Sequence, residues 1–425
     1  MRRPLTTLTV ALGALTAVAI GASYAAASSP DLFGLGARGQ AMAGAVASTA
    51  SGFESTFHNP AGLAFDRRPT FALGYQLATF DLESNGAAVA TRSAPVLSIG
   101  FGVPLPFGGA LEDRVALGLG FNIPQRSILI ADIARPGEPT FVLVGNRAQT
   151  VSVLGSLAVR IADELAVGLG ALALARLVGD IQVEPSIEGT LGTRVRDELL
   201  ADYAFIGGLT ARPTGWLSIA LTYRQASRAD FDLPISADLG SRFDIPLPVL
   251  DVRGTAQFDP ASVALEVSAH PTPWLLLALG ATWRQWSAFP LPIVTTAAPE
   301  GTPPQPPPDF SDTWVVRFGA EADLALDGPD LRLQPRLGFA WEPSPVPEQR
   351  GFHNHLDSDR AIFGLGVGLR IDRLRVDLAA QLHHMAPRAH TKDPALADPE
   401  TNPGFPGLEH RGLVVMGALE LGLTL

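Results

Sequence analysis

The chain has 425 residues with 43 Gly, 36 Pro and only 17% charged residues, and its mean hydropathy is +0.21, which excludes a disordered polymer and suits an ordinary cytosolic enzyme poorly. A formal net charge of -11, a pI near 5.2 and a single lysine, Lys392, exclude a nucleic-acid binder, which needs a basic face to displace counterions from phosphate. The absence of Cys removes disulfides, thiolate metal sites and thiol nucleophiles together.

Met1-Arg2-Arg3, the apolar run Leu5 to Ile20 and the small residues Ala25-Ala26-Ala27 have the pattern of a secretory signal peptide, expected over 1–27. The apolar run is about sixteen residues, short of the roughly twenty that span a bilayer as a helix. No later segment is apolar for that length, so any membrane span of the exported chain must use strands.

Residues 28–68 lack strand alternation and are rich in Gly and Ala, from Phe33-Gly34-Leu35-Gly36 to Asn59-Pro60-Ala61-Gly62-Leu63. They are expected to form a compact plug. Gly34 to Gly39 matches GxGxxG, but no strand precedes it, so packing accounts for the glycines better than a dinucleotide does.

From 69 to 425 apolar residues recur at every second position, the strand period. Val115, Leu117, Leu119, Phe121 and Ile123 form one hydrocarbon face, and Ala361, Phe363, Leu365, Val367, Leu369 and Ile371 repeat it. About fourteen such runs occur, near 70–80, 95–103, 114–123, 149–161, 164–177, 202–212, 215–225, 260–270, 273–287, 312–325, 331–342, 360–371, 374–385 and 412–425. The links alternate between tight turns, such as Ala162-Asp163 and Asp372-Arg373, and long loops, one of them expected over 178–201. Short turns at one end and long loops at the other describe a transmembrane antiparallel β-barrel. Arg160, Arg176, Arg224, Arg284, Arg317, Arg336, Arg360, Arg370 and Arg375 take the phase opposite the apolar residues, as do Glu266, Glu321, Asp377 and Glu420. They are expected to face the lumen, because an arginine on the lipid face costs roughly 2–4 kcal/mol at mid-bilayer. Neutralisation within the lumen, for example of Arg317 by Glu321, is the simplest use of these charges. The last strand, Leu413 to Leu425, is expected to pair with the first near Phe71 to Leu77.

These segments, in this order, resemble the FadL-type outer-membrane transporters of long-chain fatty acids, which include uptake channels for toluene and related hydrocarbons. The resemblance rests on Asn59-Pro60-Ala61 at the end of the plug, Leu221-Thr222-Tyr223-Arg224, Trp283 with Trp286-Ser287, Asp312 to Gly319, and Ser344-Pro345-Val346-Pro347 followed by Asp357-Ser358-Asp359-Arg360. It implies a monomeric fourteen-stranded barrel with an N-terminal hatch, and lateral exit of the ligand through a gap in the third strand. Arg176 stands where the family places a basic residue near the ligand carboxylate, and Ser311 where fatty-acid members often have a second one. Phe33, Leu35, Arg176 and Arg317 are therefore the candidate ligand residues. Asn59, Pro60 and Ala61, held near the third strand where Gly118, Gly120 and Asn122 weaken the ladder, are the candidate hatch and exit residues.

Other chemistry finds little support. His353 and His355 fall in a loop, and the neighbours His383 and His384 point to opposite faces of one strand, with His390 further on, so no metal site is expected. Asp357 and Asp359 beside Arg360 read as an ion pair at a loop base. No Ser sits in a GxSxG elbow and no pair of carboxylates is held at a defined separation, so neither an enzyme nor a cofactor is expected. The expected partners are the lipid bilayer, lipopolysaccharide and a hydrophobic small molecule in the outer membrane of a Gram-negative bacterium. The alternative is a structural or adhesive barrel whose long loops bind a surface partner, but such a barrel needs no glycine-rich insert in its lumen.

Overall fold

The computed structural model describes residues 28–125, 137–144, 150–185, 191–237, 250–295, 306–327 and 330–425. The expected signal peptide lies outside them, as does most of the Pro299–Pro308 loop. Fourteen antiparallel strands close into a barrel: β1 Thr70–Ser84, β2 Ala94–Pro104, β3 Val115–Pro124, β4 Ser152–Ala162, β5 Leu165–Pro185, β6 Leu191–Thr214, β7 Leu217–Arg224, β8 Ser262–Thr272, β9 Leu275–Arg284, β10 Thr313–Ala322, β11 Leu331–Glu342, β12 Arg360–Ile371, β13 Leu374–Thr391 and β14 Gly407–Thr424. Closure is by β1 on β14, in register from Thr70 opposite Thr424 to Ser84 opposite His410. A closed barrel leaves no open edge and pairs every backbone group that would otherwise meet hydrocarbon.

The period-two pattern sets the faces. On β3, Ala116, Gly118, Gly120 and Asn122 turn inward while Leu117 and Leu119 are exposed on the outer wall; Val115 shares their phase but is covered at the strand's periplasmic end. Phe363 and Leu365 on β12, Leu337 and Phe339 on β11 and Leu419 and Leu421 on β14 extend the exposed apolar belt. In water so large an apolar surface would cause aggregation, whereas a bilayer covers it. Four of the periplasmic links are two-residue turns, and in the one between β12 and β13 Asp372 adopts the left-handed region at φ 51°, which a short Asp side chain tolerates.

Two features differ from the sequence reading. Of the segment 178–201, expected as a loop, residues 178–185 and 191–201 continue the β5–β6 ladder, which runs from Leu177 opposite Leu199 to Pro185 opposite Leu191, and 186–190 lie outside the described residues. Its charges obscured the alternation, yet a hairpin that projects beyond the bilayer has no apolar face to display. An unexpected outer hairpin, Ser227–Ala237 with Leu250–Asp259, follows β7, and its first strand runs parallel to the free edge of β5 from Phe231 opposite Leu177.

Inside the barrel, residues 28–65 form three short helices, α1 Ser29–Phe33, α2 Ala37–Ala41 and α3 Ser55–His58, followed by a 3-10 turn over Pro60–Phe65. Ser28 caps α1 by accepting from Asp31 N at 3.2 Å. The chain reverses between α1 and α2 at Gly34 and Gly36, at φ 88° and 80°, where a side chain would be strained; a Cβ on Gly36 would also meet Glu54 at 2.2 Å. Gly39 packs on His58. The GxGxxG spacing thus serves close packing.

Candidate functional site

Strands β7 to β13 and the outer end of the plug line a cavity of ≈ 60 Å³. Leu32, Phe33, Phe57 and Ile362 line its apolar side, and Arg224, Arg284 and Arg317 with Asp31, Glu266 and Glu342 its polar side. That volume admits a few water molecules, so as it stands it has room for a small polar group and not for an extended chain.

The charges around it form one cluster. Asp31 of α1 lies 3.4 Å from Arg284 Nη2 and 3.5 Å from Arg224 Nη2. Glu342 Oε1 accepts from Arg284 Nη1 and Arg360 Nη2, both at 2.7 Å. Arg317 Nη1 donates to Thr282 Oγ1 at 2.8 Å, and among the described residues no carboxylate lies within 4.0 Å of its guanidinium. Glu321, expected to neutralise it, is instead held by Arg38 and Arg336 at 2.8 and 2.5 Å. The reason is spacing: residues four apart in a strand share a face but stand about 13 Å from each other, beyond side-chain reach. Arg317 is left as a half-buried cation lining the cavity.

The plug is fastened on two sides. On one, Arg38 of α2 reaches Glu321, which shares Arg336 with Asp377; Arg375 then joins Asp377 to Glu420 at 2.6 and 2.8 Å, and Glu420 Oε2 accepts from Ala37 N at 3.0 Å. Glu54, buried beside this chain, titrates well above the usual carboxylate range, pushed up to about 8 by burial and next by the charge of Glu420. On the other side Asn59 Nδ2 donates to Thr210 Oγ1 at 2.8 Å and to Ala47 O at 3.0 Å, while its Oδ1 accepts from Ala61 N at 3.1 Å. Only glycine leaves room for this turn, since a Cβ at Gly168 or Gly208 would lie 2.4 Å from the Pro60 carbonyl carbon or 2.0 Å from Asn59 Oδ1.

The ten candidate residues divide accordingly. Phe33 and Arg317 line the cavity. Leu35 does not; it packs within the plug and wall against Phe53, Phe57 and Leu154. Arg176 stands away from the cavity near the middle of β5, half-exposed, its Nη1 3.9 Å from Asp202. Asn59 and Pro60 sit against Gly168 of β5 and Gly208 of β6, and Ala61 shares an apolar cluster with Ala116 of β3, Ala158 of β4 and Ala166 of β5. Gly118 and Gly120 of β3 receive Leu63 and Thr56 of the plug, and Asn122 accepts from Ser98 Oγ at 3.2 Å. The expected weakening of β3 is not seen: it pairs without a register shift with β2 from Ala116 to Pro124 and with β4 from Val115 to Asn122. Small residues here make room for the plug and leave the ladder intact.

Sequence reasoning missed Asp31, Arg224, Arg284 and Glu342 as one site, because four elements far apart in the chain bring them together. It also missed an apolar segment packed across two clusters. Phe141, Val142, Leu143 and Val144 are all buried; Phe141 and Val144 join Phe33, Met385 and Met416 in one cluster, and Val142 and Leu143 join Trp286, Phe289 and Phe310 in another. Four successive apolar residues inside a long loop were the available signal.

A fourteen-stranded barrel with an apolar outer belt, a plugged lumen and a charged inner cavity is an outer-membrane transport barrel, not an enzyme. The chain belongs to the family described as outer membrane protein transport proteins (OMPP1/FadL/TodX), which it matches over residues 15–399, and it resides in the outer membrane of a Gram-negative bacterium. It is 23% identical over 375 residues to alkane uptake protein A of Marinobacter nauticus, covering 79% of each chain. It superposes on a Pseudomonas aeruginosa FadL homologue at a TM-score of 0.63 and 16% identity, covering 95% of this chain and 99% of the other. For the Ralstonia pickettii toluene transporter TbuX the values are 0.52 and 17%, with 92% and 98% covered. At such identities the structural likeness establishes the fold.

Proposed function

We propose that the protein is a monomeric, passive channel for hydrophobic small molecules, in which an apolar chain ending in a carboxylate is the preferred cargo. The observation that carries this reading is Arg317, a cation without a carboxylate partner among the described residues, beside the apolar side chains of Phe33 and Ile362. An unpaired charge taken from water is costly, and an incoming carboxylate would offset that cost. An apolar tail adds about 0.8 kcal/mol per buried CH₂, enough to draw cargo from lipopolysaccharide and the outer leaflet without an energy source. A cavity of ≈ 60 Å³ cannot take the tail, so loading needs the apolar segment Phe141–Val144 to part and release needs the hatch to move. A lateral exit at β3 would first have to break ladders that are continuous here.

The relatives named for alkane and toluene support a second reading, a neutral hydrocarbon as cargo. Uptake into proteoliposomes separates the two. Arg317→Ala is expected to slow a fatty acid about tenfold or more, from loss of roughly 1.5–3 kcal/mol for a hydrogen bond to a charged group, and to leave toluene within about twofold. Arg176→Ala, outside the cavity, is expected to act more weakly through the first capture of the acid. An unchanged fatty-acid rate in the Arg317 variant rules out the head-group role, and equal uptake by a protein whose hatch is tethered to the wall rules out release by hatch movement.

A further inference from the structure

At the periplasmic end a second cavity, of ≈ 430 Å³, lies between Ser51–Phe53 of the plug and the ends of β1, β11, β12, β13 and β14. Five arginines line it: Arg67, Arg68, Arg370, Arg373 and Arg375. Arg375 is committed to Asp377 and Glu420. The other four have no carboxylate within 4.0 Å among the described residues, whereas Arg332, at the same end of the barrel, is paired with Asp323 at 2.6 Å. The one acidic residue in the wall, Asp66, is turned to the plug, its Oδ2 accepting from Gly52 N at 2.6 Å. Asp330 and Asp372 lie in the neighbouring turns and do not line the cavity.

The other wall is apolar. Phe71 and Leu423 reach the cavity at the β1–β14 seam, Phe71 packs on Phe101 with ring centroids 5.1 Å apart, and Phe101 and Leu423 are exposed on the lipid face. The charged vestibule is therefore continuous with the bilayer-facing belt. A free anion would need only the arginines, while an amphiphile uses both surfaces. Guanidinium forks match phosphate geometry, and basic pockets at a membrane surface favour anionic lipid.

We propose that this vestibule seats the headgroup of an anionic phospholipid of the periplasmic leaflet, its phosphodiester held by Arg370 and Arg373 with Arg67 and Arg68 at the rim, and its acyl chains laid along Phe71, Phe101 and Leu423. The site is separate from the transport cavity and does not rest on the cargo assignment. The test equilibrates the full mature protein with equimolar phosphatidylglycerol and phosphatidylcholine and counts retained lipid by native mass spectrometry. The expected result is retention of phosphatidylglycerol, lowered about fivefold by each single Arg→Gln change at 67, 68, 370 or 373 and lost in the fourfold variant. The corresponding Arg→Lys changes, which keep the charge, are expected to retain most of the preference, and heat-modified gel mobility shows that each variant is folded. Arg332→Gln is expected to change nothing. The proposal is overturned if the wild type shows no preference for phosphatidylglycerol, or if Arg332→Gln costs as much as Arg370→Gln. Displacement by inorganic phosphate makes it a free-anion site, and displacement by a fatty acid makes it part of the transport route; either result also overturns the proposal.

Discussion

Asn59→Ala tests whether the hatch is a separately fastened unit. The side chain is fully buried, accepts from Ala61 N to cap the 3-10 turn, and donates to Ala47 O and to Thr210 Oγ1 on β6. Removing the cap costs about 1 kcal/mol, and leaving the Ala47 carbonyl buried without this donor costs about 1–3 kcal/mol. Together these weaken hatch docking by about 2–4 kcal/mol, which in the fast-reclosing regime raises local opening about thirty- to several-hundredfold. Hydrogen exchange reads this directly at Gly62 N, which donates to Asn59 O at 3.0 Å, while the β1–β14 ladder serves as an internal control. Asn59→Asp keeps the acceptor for Ala61 N but turns a carboxylate toward the Ala47 carbonyl, so it should loosen the hatch at least as much. If hatch movement gates release, both variants also speed uptake. Unchanged exchange at Gly62, or equal acceleration in hatch and ladder, would refute the reasoning.

Three further outcomes are expected. Because burial pushes Glu54 up to about 8 in the folded protein, against roughly 4.3 unfolded, its contribution is complete below the unfolded value and is lost as pH rises through about 8; hatch exchange corrected for intrinsic rates should quicken between about pH 4 and about pH 8 and level off above it, and Glu54→Gln should flatten that dependence. Gly168→Ala places a Cβ 2.4 Å from the Pro60 carbonyl carbon and should cost about 1–3 kcal/mol by overpacking, whereas Gly417→Ala, with nothing within 4 Å, should stay within about 0.5 kcal/mol; thermal unfolding of the two variants compares them. Leu365→Arg, at a lipid-facing position 67% exposed on β12, should lower the free energy of folding into bilayers by about 2–4 kcal/mol, measured by urea titration in lipid vesicles. A shift within error would place β12 away from hydrocarbon.

The barrel was legible because strand phase is a local property. Once Leu117 and Leu119 face lipid, Gly118 and Gly120 must face the lumen, and a membrane enforces this on every strand with the penalty for a misplaced charge. The sequence therefore determined the strand count, the inward phase of Arg284, Arg317 and Glu321, and the closure of the last strand on the first. Phase does not say at what height along the barrel axis a residue lies or which strand stands opposite, and those coordinates decide contacts. Arg317 and Glu321 share a face yet are too far apart to pair, while Arg38, 283 positions earlier, reaches Glu321. In the same way Asn59-Pro60-Ala61 found its glycines on β5 and β6 and not on β3. Tertiary structure alone brought Asp31, Arg224, Arg284, Arg317 and Glu342 around one cavity, since the shear of a closed sheet and the path of the plug, not any local periodicity, set which lumenal side chains meet.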